Sequence, residues 1–150
     1  MRHLVDRRKL GLPSDQRRAL LTNLQRQFVR HGYVQTTVGR AKELQREVEG
    51  LINLTKHEDA LEGRRRARKV LVGHSKSSIK PKKMLAGKSD MEKTAILQEK
   101  SLINGEDLVK HLFDHIGPRV QKRVGGFTRL TKIGFRRGDG APVAVLELVD

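Results

Sequence analysis

Apolar residues recur along the chain in two rhythms, and the change from one to the other divides it into elements. Leu20, Leu21, Leu24 and Phe28 gather within about 100° of one helix face, at the i, i+4, i+8 spacing of an amphipathic segment. Ser14, after Pro13, is the expected N-cap of that helix, and Gly32, after His31, its C-terminal stop. Tyr33–Thr37 is short, β-branched and aromatic, which predicts a strand. Thr37 then caps a second helix whose core face is Val38, Ala41, Leu44, Val48, Leu51 or Ile52, and Thr55. The acids of this helix, Glu43, Glu47 and Glu49 beside Lys42 and Arg46, read as a solvated outer face. A third helix, strongly basic, is expected over residues 58–71.

Beyond Leu71 the periodicity dissolves. Residues 70–104 mix Gly, Ser, Lys and a Pro, with only 91–100 reading as helical, and are expected to form a basic insertion carrying Lys76, Lys80, Lys82, Lys83 and Lys88. Compact domains leave a stretch of that length unstructured only when it is functional or docks on a partner. Periodicity returns after Asn104, a candidate N-cap, with the stripe Leu108, Val109, Leu112, Phe113 and Ile116 ended by Gly117-Pro118. Two strands, 127–133 and 143–149, flank Arg136-Arg137-Gly138-Asp139-Gly140, whose Asp-Gly step favours positive φ and an antiparallel pairing. The second of them is nearly all apolar, so it is expected to be central or covered on both faces. The fold class is therefore α+β: helices packed on a small three-stranded sheet ending in an antiparallel hairpin, with a basic, extended N-terminal arm over residues 1–12. At 150 residues, one domain spanning 1–150 is expected.

Charge narrows the range of functions. Lys and Arg number 32 against 17 Asp and Glu, a formal +15, and charged residues make up 33% of the chain where about 25% is usual. The excess sits in two blocks: residues 1–40 hold 9 basic and 2 acidic side chains, and residues 61–100 hold 12 and 4. Clusters of this kind are the footprint of a polyanion, because each neutralised phosphate releases condensed counterion. No apolar run of about 18 residues predicts a membrane span, no apolar signal region follows Met1, and no cysteine supplies a disulfide or thiolate metal site. Aromatics are only 3%, which disfavours sequence-tolerant base stacking as the main mode of binding.

Signals of catalysis are weak. His111-Leu112-Phe113-Asp114-His115 has the outline of an inverted zinc-protease motif, but its acid is Asp rather than Glu and both histidines lie on the polar flank of a core-facing helix. Gly87-Lys88-Ser89 lacks the earlier glycine of a phosphate loop, and Ser77 to Lys80 lacks the companion motifs of an acyl-transfer enzyme. No enzyme activity, cofactor, metal or small-molecule substrate is expected. Two rivals stand beside a binding role. One is a DNA-binding protein whose first two helices form a helix-turn-helix, against which the strand-like Tyr33–Thr37 is too long for the usual turn. The other is a basic RNA-processing enzyme, for which acid, base and metal ligands are missing.

The two ends of the chain are more specific. Met1-Arg2-His3, Arg8-Lys9-Leu10-Gly11, Asp15-Gln16-Arg17-Arg18-Ala19-Leu20-Leu21, Asn23-Leu24, His31-Gly32, Thr36-Thr37 and Ala41-Lys42-Glu43-Leu44 occur in an order that resembles the bacterial large-subunit ribosomal protein seventeen family. Gly125-Gly126-Phe127-Thr128-Arg129, Arg136-Arg137-Gly138-Asp139, Ala141-Pro142-Val143-Ala144 and Glu147-Leu148-Val149-Asp150 look like that family's terminal hairpin. The resemblance covers about 1–68 and 105–150; the 70–104 stretch departs from it, as do Leu4 and Val5 in an arm that is usually more basic.

It implies a structural constituent of the large ribosomal subunit near the nascent-chain exit side, with large-subunit rRNA and neighbouring ribosomal proteins as partners and no membrane. Recognition would be of phosphates and shape. Expected RNA contacts are Arg2, His3, Arg7, Arg8 and Lys9 in the arm, and Arg17 and Arg18 at the helix N-terminus. Lys122, Arg123, Gly125, Gly126, Thr128, Arg129, Lys132, Arg136 and Arg137 are expected contacts near and along the hairpin. Asp139 reads as a turn residue. The ribosome is expected to be that of an organelle, with the string from Asp15 to Leu21 pointing to a plastid, and with a mitochondrion or the bacterial cytoplasm as alternatives.

Overall fold

The computed structural model describes residues 7–72, Ser89 and 107–149. Arg2, His3, the expected 91–100 helix, the Asn104 cap and the lysines of the 70–104 stretch lie outside the described residues.

Helix α1 spans Ser14–His31, starting one position earlier than the capping argument implies. Pro13 takes the cap position and its carbonyl accepts from Arg17 N at 2.9 Å, so Ser14 is already helical and its hydroxyl caps nothing. The other end behaves as expected: Gly32 adopts φ +78° and returns its N–H to the Phe28 carbonyl at 2.7 Å, a left-handed stop that glycine enters without strain. Strand β1 is Tyr33–Thr37, α2 is Val38–Asn53 followed by a tight turn at Leu54–Lys56, and α3 is Ala60–Leu71. Helix α3 starts two residues later than 58 because Asp59 is the better cap; its Oδ1 accepts from Leu61 N at 2.9 Å and Glu62 N at 3.3 Å.

Helix α4 departs from expectation. It begins as Leu108–His111, capped by Asp107, widens into π geometry over Leu112–Ile116, and resumes over Gly117–Val120 instead of ending at Gly117-Pro118. The widening explains the continuation: Gly117 N–H reaches back to the Leu112 carbonyl, and Pro118, which has no N–H to offer, sits in the first turn of a restarted segment where none is needed.

Strands β2, Thr128–Phe135, and β3, Pro142–Leu148, complete a sheet of order β1-β3-β2, antiparallel throughout. The apolar β3 is central, as expected, but only one of its faces is fully covered. Ala144 and Leu146 are at 0% exposure, whereas Val143 and Val145 are half-buried and the neighbouring Gln35, Arg129 and Thr131 face outward. Phe28 and Val29 of α1, Leu44, Val48, Leu51 and Ile52 of α2, Ala67 and Leu71 of α3, and Leu112, Ile116 and Val120 of α4 pack with Phe127, Val34 and Leu146 into one core. Leu20, Leu21 and Leu24 are only half-buried; Leu24 still packs against that core, whereas Leu21 shares a cleft with Arg7 and Arg8 of the arm. The helix-turn-helix reading ends here, since β1 separates α1 from α2 and pairs with β3 along its whole length, from Tyr33↔Glu147 to Thr37↔Val143.

Candidate nucleic-acid interface

Helix α2 organises the first basic region, through acids that are not a solvated outer face. Glu43 and Glu47 stand one turn apart and receive successive arginines of the arm: Arg8 Nε lies 3.5 Å from Glu43 Oε1, and Arg7 Nη1 lies 3.9 Å from Glu47 Oε1. Glu43 is only 8% exposed. The third acid, Glu49, accepts from Thr128 Oγ1 at 3.2 Å. These carboxylates flank the apolar stripe rather than oppose it, so the elements that cover the stripe also reach them.

With the arm anchored there, Arg7, Arg8, Arg17, Arg18 and Lys69 line one cleft of about 550 Å³ together with Ser14, Gln25, Glu43 and Glu47. The arm, the first turn of α1 and the last turn of α3 thus meet, although 62 positions separate Arg7 from Lys69. The N–H groups of the first α1 turn carry no side-chain cap. The positive end of the helix dipole adds to the arginines beside it. Lys9 is exposed on the same arm, where its carbonyl accepts from Leu12 N at 3.2 Å.

The second region runs from α4 into the hairpin. Lys122, Arg123, Gly125 and Gly126 form an exposed loop, with Gly126 at φ +65°, as the need for a special backbone angle predicts. Lys56 fixes this loop by donating to the Arg123 carbonyl while its ammonium lies 4.5 Å from the centre of the Phe127 ring. Arg129 and Lys132 project from β2, and every residue from Thr131 to Gly140 is exposed. At the tip Arg136 forms a two-pronged pair with Asp139, at 2.8 and 2.5 Å, and Asp139 also accepts from Ala141 N at 3.2 Å. The bond from Arg136, reinforced by the Ala141 N–H, pulls the Asp139 carboxyl down to about 2, and the same pairing raises Arg136. Asp139 is therefore a turn residue, and Gly140 supplies the positive φ, +61°, expected of the Asp-Gly step. Arg137 has no acid partner among the described residues.

Thr128 belongs to a different environment from the residues predicted with it. It is 7% exposed and its hydroxyl is committed to Glu49, so it ties β2 to α2 and presents nothing outward. Two groups escaped the sequence reading. Arg65, Arg68 and Lys69 of α3 are exposed without an acid partner among the described residues, whereas Arg66 pairs with Glu62 at 2.9 Å and Arg64 with Asp114 at 3.4 Å. The run Arg64-Arg65-Arg66 was the visible signal. Phe135 is the other, a large apolar side chain 79% exposed and close in sequence to Lys132, Arg136 and Arg137. His111 and His115 place their rings 4.9 Å apart, and among the described residues no three metal-ligating side chains converge.

A sequence model of the family described as Ribosomal protein L17 matches residues 20–149. The large ribosomal subunit protein bL17 of Clostridium kluyveri is 41% identical over 146 residues, 97% of this chain and 100% of that protein. The proteins of the same name from Clostridium acetobutylicum and Caldanaerobacter subterraneus are 40% and 42% identical over 142 residues, 95% of this chain in both cases. The relatives are bacterial and lend no support to a plastid or mitochondrial origin.

Proposed function

The chain belongs to the ribosomal protein L17 family, and from that premise we propose that it holds large-subunit rRNA in place through phosphate and shape contacts. It is a structural, non-enzymatic protein of the large ribosomal subunit. The observation that carries the RNA reading is the gathering of Arg7, Arg8, Arg17, Arg18 and Lys69 around one cleft, with a second set, Lys122, Arg123, Arg129, Lys132, Arg136 and Arg137, near and along the hairpin. Arg2 and His3, earlier in the sequence of the arm, are further contacts in this reading, and Gly125 and Gly126 give RNA backbone close access to the second set. Phosphates between A-form helices suit both, because side chains cannot read the deep major groove and contacts fall on backbone and 2′-hydroxyls. Arg65 and Arg68 enlarge the first region. Neighbouring ribosomal proteins are further partners, the exit side of the subunit is its place by family resemblance, and the bacterial cytoplasm is its compartment.

Binding of the purified chain to large-subunit rRNA, measured across a salt series, tests this. Log K should fall linearly with log salt, and each of Arg17→Ala, Arg65→Ala and Arg137→Ala should lower the slope by about 1. Equal affinity for duplex DNA, or slopes unchanged by all three substitutions, would overturn the reading.

A further inference from the structure

Of the four phenylalanines, Phe28 and Phe127 are at 0% exposure and Phe113 packs against the core, while Phe135 stands 79% exposed at the end of β2. The backbone beneath it is firmly held. Phe135 pairs with Pro142, Arg136 N donates to the Ala141 carbonyl at 2.9 Å, Gly140 N donates to the Arg136 carbonyl at 2.9 Å, and Asp139 clamps the turn. A register shift between Lys132 and Gly134 sets which way the ring goes. In an unbroken strand Phe135 would share the face of Arg129 and Thr131; the bulge puts it on the face of Lys132, whose partner Ala144 lies two positions from Pro142. An aromatic ring is thereby presented on the face of Lys132 and two residues before Arg137, which has no acid partner among the described residues, while Asp139 of the tip is already paired with Arg136.

We propose that Phe135 is a stacking platform for one unpaired nucleobase of the large-subunit rRNA, with Lys132 and Arg137 on the phosphates flanking it. The inference rests on the rRNA-binding reading and adds a base contact to it. The charge around the ring selects the occupant: three cations against one paired acid suit a nucleotide and oppose an apolar protein segment that would have to desolvate them. Rigidity contributes as well, since a ring held by paired strands loses little freedom on binding.

The chain contains no tryptophan, so Phe135→Trp introduces a single tryptophan at the proposed contact, which can be excited selectively over Tyr33. Affinity for extracted large-subunit rRNA should fall about 5- to 150-fold in both Phe135→Ala and Phe135→Leu, with an unchanged salt slope because no charge is lost. Phe135→Trp should restore binding, with its emission quenched by the RNA. Wild-type affinity in the Ala or Leu variant, or Trp emission that RNA leaves unaltered, would overturn the proposal. Leu matching Phe while Ala fails would assign the position to apolar docking instead. A wild-type chain that does not bind rRNA would remove the function reading and this inference together, whereas binding by wild type and Ala alike removes this inference alone.

Discussion

Replacing Gly63 by alanine sets two effects of opposite sign against each other. The residue sits inside α3, where alanine is favoured over glycine by about 1 kcal/mol of helix propensity. A Cβ at this position, however, would lie 2.5 Å from the Leu54 carbonyl oxygen and 3.4 Å from both His57 Cβ and Phe113 Cζ. The obstacle is backbone in the turn Leu54–Lys56, not the end of a flexible side chain, so α3 must back away and loosen its other contacts. Overpacking of a filled site costs about 1–3 kcal/mol, and an encounter with a carbonyl belongs near the top of that range. Subtracting the propensity gain leaves a net loss of about 1–2 kcal/mol, or roughly 2–8 °C in melting temperature for a chain of this size. Gly50→Ala is the matched control: Gly50 is exposed in α2 with nothing within 4 Å of a built Cβ, so only the propensity gain of about 1 kcal/mol operates and the melt should rise by about 2–4 °C. Thermal melts of the two variants by far-UV circular dichroism decide the matter. A Gly63→Ala protein that melts at or above wild type would refute the close approach of α3 to the turn.

Three other outcomes follow from the same geometry. Leu146→Ala, at a fully buried position of the central strand, should cost about 2–5 kcal/mol in denaturant unfolding, and a loss below about 1 kcal/mol would contradict the placement of β3. The Asp139 carboxyl should titrate near pH 2 by carbon NMR. Because its folded value is depressed, the stabilisation it gives the hairpin is present above about pH 3.8 and is lost as pH falls toward 2; a midpoint at 3.8 would disprove the Arg136 clamp. Glu43→Gln should release Arg8 and speed tryptic cleavage in the arm while changing global stability by no more than about 1 kcal/mol, since Arg8 is half solvent-exposed; unchanged cleavage would mean that the arm is held elsewhere.

Part of the structure is carried by local patterns that the sequence displays openly. Gly32 stops α1, the Asp139-Gly140 step turns the hairpin, and the alternation of periods gives the order of helices and strands. Other parts are decided by partners that lie far along the chain. Glu43, Glu47 and Glu49 look like surface acids because nothing in α2 shows that Arg7, Arg8 and Thr128, 35 to 79 positions away, will come to meet them. Thr128 was legible as part of a family-like string but not as the residue that turns inward. Gly117-Pro118 has the composition of a helix end, and only the π turn before it, a tertiary accommodation invisible in residue spacing, lets α4 run on. For the interface, basic residue types were readable; which of them stay unpaired depends on neighbours such as Asp114 and Glu62, and so does the value of Arg65 over Arg64.

Sedimentation of a tagged copy in bacterial lysate, with a salt wash and RNase digestion of the fractions, is the most direct measurement. Stoichiometric presence in the large-subunit peak, retained through moderate salt and released when the RNA is digested, is the expected result. A chain absent from that peak, or one that stays with the protein fraction after the RNA is gone, would contradict assembly through rRNA.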